Sequence, residues 1–466
     1  MVRSDRKNQR LRIALAIALA FALALFLAGR WWFAVPATAR PPIVLIVVDT
    51  VRADHVGVYG AAHPTTPNID RFAARAVRFD NAQAPSSWTV PSMASLFTGV
   101  YPWRHGVNTA ESTGPTGVKG QPVLSERFVT LATALRQAGY ATFGVTANGH
   151  LDPKFGLARG FETYRFFSFV KHEPVDRAFA ATAPELRRAL RRGQPYFLYL
   201  HYFDPHHPYL PVRPWIDQWR PDVDPERIKT LTQTEFNRLV LENYFLQHRD
   251  AMRLLADLYD SEIAAADASV GAALRALPGA DRALIVITAD HGESFGDHRN
   301  MLHGGDLFAE TLRVPLLIRW PGATTATVVP APVSLVDLYP TLAAAAGAAP
   351  PDYLDGVDLT GLARGEPAPS RALFAATERD PRLSWSAVLA DGWKWLRNEE
   401  NGDELLFHVA ADAADKKNVA AAEPQRVQAL RELWLGRPTP DILFPPAAGP
   451  DLDPAYREKL HSLGYL

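Results

Sequence analysis

Three long apolar runs in the chain end in acidic or imidazole side chains. They read IVLIVVD (residues 43–49), YFLYLHYFDPHHPY (residues 196–209) and LIVITADHGE (residues 284–293). Uninterrupted apolar runs are typical of parallel strands that are buried on both faces. In an open parallel sheet, ligands bind beyond the carboxyl ends of the strands. The pattern therefore predicts one crevice into which the polar ends of all three runs face.

The polar residues at these ends are of the types that bind metals. They are Asp49 after the first run, Asp204, His206 and His207 after the second, and Asp290 and His291 after the third. A single aspartate after a strand is usually a turn or helix-capping residue. Three such groups at one sheet edge are better explained by a metal site. Mixed carboxylate and imidazole ligands suit Mn²⁺ or Zn²⁺ better than Ca²⁺.

The segment SSWTVPSMASLFTG (residues 86–99) predicts a short helix with Thr89 at its start. Pro91 suits the first helical turn, where a missing backbone N–H costs nothing. The N–H groups and dipole at a helix N-terminus favour a tetrahedral anion such as phosphate or sulfate. Thr89 is therefore either an ordinary helix cap or a nucleophilic hydroxyl, and the nearby metal-type residues favour the nucleophile.

The remaining pattern predicts the fold class. Strands alternate with helices from residue 42 to about residue 349, including a capped helix at residues 130–139 and a mostly helical insertion at residues 213–255. From residue 371 the pattern changes to the short strands ALFAATE, SWSAVLA, WKWLRN and ELLFHV. We expect an α/β protein with a large mixed, mostly parallel sheet flanked by helices and a small C-terminal antiparallel sheet.

This division gives a catalytic domain at residues 41–370 and a small α+β subdomain at residues 371–466, preceded by an N-terminal segment at residues 1–40. Five basic residues precede an apolar run at residues 13–28, which approaches the length of a membrane span when the flanking aromatic residues are counted. We favour a retained inner-membrane anchor with the catalytic domain extracytoplasmic, in the periplasm. Cleavage after Ala39 would instead give a secreted protein.

Composition narrows the class of partner. Hydrophobic residues make up 47% of the 466 residues, which is enough for a large core. The net charge is −1, but residues 1–40 carry seven Lys or Arg and a single Asp, so the rest of the chain is acidic. An acidic catalytic part argues against nucleic acid as a partner. The absence of cysteine does not oppose export, because large domains need no disulfides.

The order of motifs resembles the sulfatase branch of the alkaline phosphatase superfamily. VDTVRADHVGVYG (residues 48–60) is similar to the first metal-ligand segment of that family. TVPSMASLFTGVYPWRHGV (residues 89–107) is similar to its nucleophile segment, and TADHGESFGDH (residues 288–298) to its second metal-ligand segment. LRVPLLIRWPG (residues 312–322) matches a later structural element. This shared order makes the resemblance specific over most of residues 41–466.

The chain departs from the family where the nucleophile is made. Sulfatases convert a Cys or Ser to formylglycine, but this chain has no cysteine, and Thr89 occupies that position. Met93 and Ala147 stand where the family carries an Arg and a Lys. A threonine nucleophile is similar to that of phosphoethanolamine and glycerophosphate transferases and of nucleotide pyrophosphatases. The resemblance therefore implies a phosphothreonine intermediate on Thr89.

The resemblance also implies a metal site. The residues that would bind one divalent ion are Asp49, Thr89, Asp290 and His291. Mn²⁺ or Zn²⁺ is favoured, and Mg²⁺ and Ca²⁺ stay open. The pyrophosphatase branch holds a second ion with an Asp, a His four residues later and another His, but here Pro208 stands four residues after Asp204. We favour one ion, although Asp204, His206 and His303 could form an improvised second site.

Other polar residues receive separate interpretations. The resemblance implies that His206 and His303 contact the non-bridging oxygens of the substrate or protonate its leaving group. His207 is expected on the surface. Arg52 could clamp an anion or form a salt bridge. The histidines expected to be structural are His105 and His298.

These observations predict a metal-dependent ester hydrolase or transferase that acts on phosphate (di)esters through a covalent Thr89 intermediate. A sulfuric ester hydrolase without formylglycine is one alternative, which Met93 and Ala147 disfavour because they remove cationic support for sulfate. A non-catalytic binder of phosphorylated glycans is another, which the complete metal-ligand set disfavours. The expected substrate is a small-molecule, lipid or glycan ester, and the oligomeric state stays open.

Overall fold

The computed structural model describes residues 40–109, 112–113, 119–171, 174–224, 233–379, 383–438, 442–447, 449 and 458. The expected anchor and the alternative cleavage site after Ala39 both fall in residues 1–39, outside this part of the chain. Within the described ranges, no helix combines the length and the apolar character needed to cross a bilayer. Pro41–Leu466 groups as one compact unit.

The predicted large sheet is present and contains nine strands. The strands of the described chain are β1 (Ile43–Val48), β2 (Val77–Gln83), β3 (Ser112–Thr113), β4 (Lys119–Gly120), β5 (Ala141–Thr146), β6 (Thr163–Phe166), β7 (Tyr196–Tyr202), β8 (Leu284–Thr288), β9 (Ser294–Phe295), β10 (Met301–Leu302), β11 (Arg313–Val314), β12 (Leu316–Arg319), β13 (Thr327–Ser334), β14 (Leu373–Thr377), β15 (Trp385–Ala390), β16 (Trp393–Asn398) and β17 (Glu404–His408). The large sheet has the order β11-β2-β12-β8-β1-β7-β5-β6, and β13 pairs with β2.

Helices flank this sheet, except the last one, which packs against β15, β16 and β17. They are α1 (Pro67–Ala73), α2 (Thr89–Thr98), α3 (Pro102–His105), α4 (Leu131–Gln137), α5 (Pro174–Arg191), α6 (Gln233–Leu241), α7 (Tyr244–Gln247), α8 (Arg249–Ala276), α9 (Ala309–Leu312), α10 (Leu338–Ala346), α11 (Thr360–Ala363) and α12 (Pro424–Leu435). Short 3₁₀ helices lie at Ala53–His55, Gly57–Tyr59, Gly149–Leu151, Pro153–Phe155, Ile216–Gln218, Ala280–Arg282 and Leu335–Asp337. The predicted insertion contains the 3₁₀ helix Ile216–Gln218, α6, α7 and the start of α8, with turns between them.

Four adjacent strands of the large sheet define the edge at which the crevice lies. β8, β1, β7 and β5 run parallel to one another, and every residue of β1, β7 and β8 is buried. Burial on both faces explains why these strands are apolar throughout rather than alternating. β12 runs antiparallel to β8 and to β2, which makes the sheet mixed, as predicted. The carboxyl ends of four strands therefore meet at one edge.

The small antiparallel sheet is also confirmed, with the order β14-β15-β16-β17. Its edge strand β14 is bonded to loops of the large sheet. Ala376 donates its N–H to the Pro85 carbonyl at 3.0 Å, and Thr377 Oγ1 donates to the Gly304 carbonyl at 3.1 Å. Pro85 and Gly304 directly adjoin segments that the sequence predicted to be functional. The boundary at residue 370 stays a prediction.

Candidate active site

The structure brings the polar ends of β1 and β8 together. Asp49 directly follows β1, and Asp290 and His291 lie just beyond the end of β8. His291 Nε2 lies 3.6 Å from Asp49 Oδ1 and 3.5 Å from Asp290 Oδ2. Together with Thr89 they form what we call the strand-end cluster, and all four side chains are fully buried. The predicted meeting of these strand ends is confirmed.

Thr89 enters the strand-end cluster from helix α2. The helix begins at Thr89, as predicted, and its residues are all buried. Thr89 Oγ1 lies 3.3 Å from His291 Nε2. One turn further on, Ser92 Oγ donates a hydrogen bond of 2.5 Å to the Asp290 carbonyl. This bond ties the first turn of α2 to the end of β8, and so fixes the hydroxyl against the carboxylates.

Two carboxylate oxygens in this cluster, Asp49 Oδ1 and Asp290 Oδ2, are buried without a hydrogen-bond partner. Burial, and then the charge of Asp290, raises the pKa of Asp49 well above its ordinary value. Ligand atoms bound about 2.0–2.2 Å from one ion stand roughly 3.3 Å apart. The Thr89, Asp49 and Asp290 oxygens lie 3.3, 3.6 and 3.5 Å from His291 Nε2. The donor set therefore fits one divalent cation, which would balance the buried carboxylates.

Asn148 holds the other oxygen of Asp49, and the sequence analysis did not single it out. Its Nδ2 donates to Asp49 Oδ2 at 2.5 Å and lies 3.3 Å from Thr89 Oγ1. Asn148 follows strand β5 and caps the helix Gly149–Leu151. Because β5 is a neighbour of β7 in the parallel sheet, the rule that singled out Asp49 could also have found Asn148.

His201 is a second residue that the sequence analysis missed. Its Nε2 lies 3.4 Å from Asp49 Oδ2, and its Nδ1 lies 2.6 Å from the Tyr199 hydroxyl. His201, Asp49 and Asp290 also have ligand atoms within 4.8 Å of one another. Burial lowers the pKa of His201 to about 4, so the ring is neutral. A lone histidine inside an apolar strand gave no sign of this contact.

His206, His207 and His303 form a second group, which we call the imidazole cluster. Their ligand nitrogens lie within 4.8 Å of one another. The ring centroid of His206 lies 4.3 Å from that of His207 and 4.9 Å from that of His303. The expectation that His207 is a surface residue is wrong, because it is only 2% exposed. Phe203 stacks on His206, and Phe236 of α6 stacks on His207, which keeps both rings inside.

Hydrogen bonds orient two of these rings. His206 Nδ1 lies 2.8 Å from the His207 carbonyl oxygen, and His303 Nδ1 lies 3.0 Å from Glu293 Oε1. Burial, followed by the neighbouring histidines, lowers the pKa of His206 and of His303 well below the ordinary value. The imidazole cluster adjoins the strand-end cluster, since the rings of His291 and His303 are 4.5 Å apart.

An ion pair anchors the loop that carries His206 and His207. Lys171 Nζ donates to Glu262 Oε2 at 2.6 Å and to the Pro208 carbonyl at 2.7 Å. Glu262 Oε1 accepts the Leu210 N–H at 2.9 Å. Glu262 lies on α8 and is fully buried, and burial raises its pKa to about 7. The pair thus fixes the backbone that follows the two histidines.

Two arginines near the site differ in their contacts. Arg52 forms ion pairs of 2.8 Å with both Asp54 and Asp297, so of its two interpretations the structure shows the salt bridge. Arg379 Nη1 donates to the His303 carbonyl at 3.0 Å, and its charge contributes to the lowered pKa of His303. The sequence analysis missed Arg379, which follows β14 at the end of the small sheet's edge strand.

The two histidines expected to be structural lie in internal hydrogen bonds. His105 Nε2 lies 3.0 Å from Ser95 Oγ on helix α2. His298 lies between Glu310 Oε1 and the Asp415 carbonyl, at 2.7 Å from each. The first contact joins α3 to α2, and the second joins His298 to α9 and to Asp415, in keeping with the structural interpretation.

A mixed sheet with a helix N-terminus and a carboxylate-imidazole crevice at its strand ends is consistent with an ester-bond hydrolase of the alkaline phosphatase superfamily, and the comparisons show this class. The Sulfatase family model matches residues 41–348, and the chain belongs to the sulfatase family. The resemblance drawn from the motifs is thereby confirmed. Enzymes of this superfamily are generally metal-dependent, and the described residues include two groups that could hold an ion.

Known relatives match most of the chain. The uncharacterized sulfatase YidJ of Escherichia coli (strain K12) is 25% identical over 416 residues, covering 78% of this chain and 80% of the relative. Arylsulfatase A of Homo sapiens is 28% identical over 486 aligned residues, covering 86% of this chain and 88% of the relative. The crystal structure of the phosphonate monoester hydrolase of Agrobacterium radiobacter superposes with a TM-score of 0.67 at 23% identity, covering 85% of this chain and 95% of that chain.

Proposed function

We propose that this protein is a metal-dependent hydrolase or transferase that acts on phosphate (di)esters through a covalent intermediate on Thr89. One observation carries the proposal. The Thr89 hydroxyl lies 3.3 Å from His291 Nε2, beside two buried carboxylate oxygens that accept no hydrogen bond. Such a set can hold a cation and an alkoxide together.

The strand-end cluster would hold one divalent cation, with Mn²⁺ or Zn²⁺ favoured. A bound ion of this kind lowers the pKa of a hydroxyl and stabilises its alkoxide for attack in line with phosphorus. Asp49 is oriented for this role by Asn148 and His201, which bond its Oδ2 and leave Oδ1 facing His291.

The chain's own groups would then carry the ester through two displacements. Thr89 Oγ loses its proton and forms a bond to phosphorus as the bond to the leaving oxygen breaks, and the departing alcohol takes up a proton. Water or an acceptor alcohol then loses a proton and attacks phosphorus, the bond from phosphorus to Thr89 Oγ breaks, and Thr89 Oγ takes up a proton. Asn148 Nδ2, 3.3 Å from Thr89 Oγ1, is placed to donate to a non-bridging oxygen. His206 and His303 would contact the remaining oxygens or serve the leaving group.

The choice of phosphorus over sulfur rests on how the intermediate is released. The chain has no cysteine to become formylglycine, and an esterified threonine lacks the geminal hydroxyl that elimination requires. The second step therefore needs direct attack, which a cation assists at phosphorus. Met93 and Ala147 are buried and carry no charge to support sulfate. A phosphonate monoester hydrolase shares the fold, so phosphonate esters also belong among the substrates to test.

Sulfate ester hydrolysis is the second candidate. Arg379, at the His303 carbonyl, places a positive charge next to the imidazole cluster, and arylsulfatase A is among the relatives. This charge restores part of the cationic support that Met93 and Ala147 remove. A direct comparison of the two ester classes decides between the candidates.

The test is a matched set of p-nitrophenyl esters assayed with the full-length protein in detergent. The set contains a sulfate, a phosphate monoester, a phosphate diester and a phosphonate monoester, each with Mn²⁺, Zn²⁺, Mg²⁺ and Ca²⁺. We expect a phosphorus ester to have the highest kcat/KM. Mass spectrometry after acid quench should find Thr89 carrying the phosphoryl group with its retained ester. Faster turnover of the aryl sulfate than of every phosphorus ester would replace this proposal by the sulfatase one.

We also propose that residues 1–40 anchor the catalytic part on the outer side of the inner membrane. The support is the basic residues before the apolar run at residues 13–28. Membrane fractionation combined with protease access in spheroplasts tests it. A full-length protein found in the soluble fraction would contradict the anchor.

A further inference from the structure

The residue after Asp49 has an unusual backbone conformation. Thr50 lies in the left-handed region, with a φ of 57°, and is fully buried. A β-branched residue is rarely found there, because its Cβ crowds the following carbonyl oxygen. Such strain persists only where the surrounding structure holds the residue in place, and it concentrates at functional sites. The contacts of Thr50 show both what holds it and what its conformation provides.

The strained backbone of Thr50 orients the carboxylate of Asp290. The Thr50 N–H donates to Asp290 Oδ1 at 3.2 Å, and the His291 N–H donates to the same oxygen at 3.0 Å. Because Oδ1 accepts two backbone N–H groups, Oδ2 is the oxygen that lies near His291 Nε2 without a hydrogen-bond partner. This oxygen is one of the two that suit a cation in the strand-end cluster. The conformation of Thr50 thus selects which oxygen of Asp290 is left for the cation.

Tyr259 of helix α8 holds Thr50 in this conformation. Its hydroxyl donates to the Thr50 carbonyl at 2.8 Å and accepts the Arg52 N–H at 3.0 Å, so it bridges two peptide groups that follow Thr50. Before Thr50, the Asp49 N–H donates to the Tyr202 carbonyl at 3.0 Å. The segment is therefore fixed on both sides of the strained residue, by strand β7 and by helix α8.

The hydroxyl of Tyr259 is itself held in place. The side chain is fully buried, and its ring centroid lies 4.9 Å from that of Phe295 and 5.1 Å from that of His55. Burial raises the pKa of Tyr259 well above its ordinary value, so the hydroxyl keeps the proton that it donates. We propose that Tyr259 is a positioning residue for the cation of the strand-end cluster and acts through Thr50. The inference rests on the proposed function, because it concerns the cation proposed there.

A double-mutant cycle tests the proposal by metal affinity, without any turnover measurement. The full-length protein in detergent is stripped with a chelator and titrated calorimetrically with Mn²⁺ and with Zn²⁺. Tyr259→Phe removes the hydroxyl and keeps the ring. We expect it to weaken metal binding by roughly 10-fold to 100-fold, the usual effect of losing a partner behind a metal ligand.

The same substitution is then made in a Thr50→Gly background and compared with Thr50→Gly alone. There the loss should be clearly smaller, because glycine adopts a positive φ without strain and needs less support. Tyr339→Phe is the matched control. Tyr339 is also a fully buried tyrosine on a helix, but its hydroxyl donates to the Val129 carbonyl at 3.1 Å, and the variant should bind metal as the wild type does.

The outcomes are distinct. Equal metal affinities of Tyr259→Phe and the wild type would overturn the proposal. An equal loss in the threonine and glycine backgrounds would also overturn it, since the hydroxyl would then not act through Thr50. A preference for aryl sulfates in the p-nitrophenyl ester assay would remove the proposed function, while the affinities would still decide the role of Tyr259. A wild type that binds neither cation would overturn both.

Discussion

The strand-end cluster and the imidazole cluster are neighbours, yet they are built differently. The strand-end cluster takes its side chains from residues that follow two adjacent parallel strands and from the first residue of α2, and most of its donor atoms are oxygens. The imidazole cluster consists of histidines from loops. A carbonyl oxygen orients the ring of His206, and Glu293 orients the ring of His303. The register of the sheet positions the strand-end cluster, whereas hydrogen bonds to the far side of the rings position the imidazole cluster.

The sharpest test of the strand-end cluster removes the proposed nucleophile. Thr89→Ala should lower turnover by several orders of magnitude while metal stays bound, because the proposed covalent intermediate forms on this hydroxyl. Thr89→Ser should keep measurable activity. Steady-state kinetics and metal analysis check both. Thr98→Ala, which removes a hydroxyl bonded to the Ala94 carbonyl on the same helix, should match the wild type. Turnover of Thr89→Ala within about tenfold of wild type would mean that water attacks the ester directly.

The second prediction tests the metal ligands of the strand-end cluster. Asp290→Ala or His291→Ala should abolish turnover and release the ion proposed for this cluster, because a site with so few protein ligands cannot spare one. Metal analysis measures this, with Asp267→Ala as control, a buried carboxylate that accepts the N–H groups of Asn68 and Ile69 instead. If both variants bind as much metal as the wild type, the assignment of Asp290 and His291 as metal ligands is wrong.

The third prediction tests whether residues that contact the metal ligands indirectly also affect the metal affinity of the strand-end cluster. Tyr199→Phe removes the hydroxyl 2.6 Å from His201 Nδ1 and should weaken Mn²⁺ binding by roughly 10-fold to 100-fold, because His201 in turn bonds Asp49. Tyr196→Phe is the matched control, since its hydroxyl lies on the same strand but donates to the Pro278 carbonyl. Calorimetric titration measures both, and equal affinities would show that His201 does not position Asp49.

The smallest expected effect concerns the loop of the imidazole cluster. Burial raises the pKa of Glu262 from 4.5 to about 7. Between these pH values the folded protein keeps a proton that the unfolded chain has lost, so the free energy of unfolding falls as the pH rises. Glu262→Gln should flatten this part of the curve, as measured by chemical denaturation at several pH values. Glu185→Gln, which removes a partly exposed ion-pair partner of Arg165, should not. Parallel curves for Glu262→Gln and the wild type would contradict the burial argument.

The same comparison explains what the sequence could predict. Asp49, Asp290 and His291 were found because a buried parallel strand is a continuous apolar run, and its end must lie at the sheet edge. Thr89 was found because a helix start has its own local signature. These features need only short stretches of chain, and the fold class followed from the same periodicity.

Other residues of the site depend on contacts across the chain. His207 is buried because the loop after β7 is held by Lys171 and Glu262, the latter on α8, and no local pattern indicates that pairing. His201 contacts Asp49 only because β7 is placed beside β1 in the sheet. Arg379 comes from the small sheet and reaches the His303 carbonyl. Such pairings are decided by tertiary packing, which the residues nearby in sequence do not encode.

The hydrogen bonds of β14 also limit whether the C-terminal sheet can be exchanged for that of a relative. Ala376 bonds Pro85, which precedes the nucleophile segment, and Thr377 bonds Gly304, which follows His303. A chimera that joined this large sheet to the C-terminal sheet of a relative at residue 370 would keep every residue of both clusters. It would nevertheless replace the strand that sets the spacing between their supporting loops. Recombination between relatives at this point should therefore alter catalysis without changing a residue of either cluster.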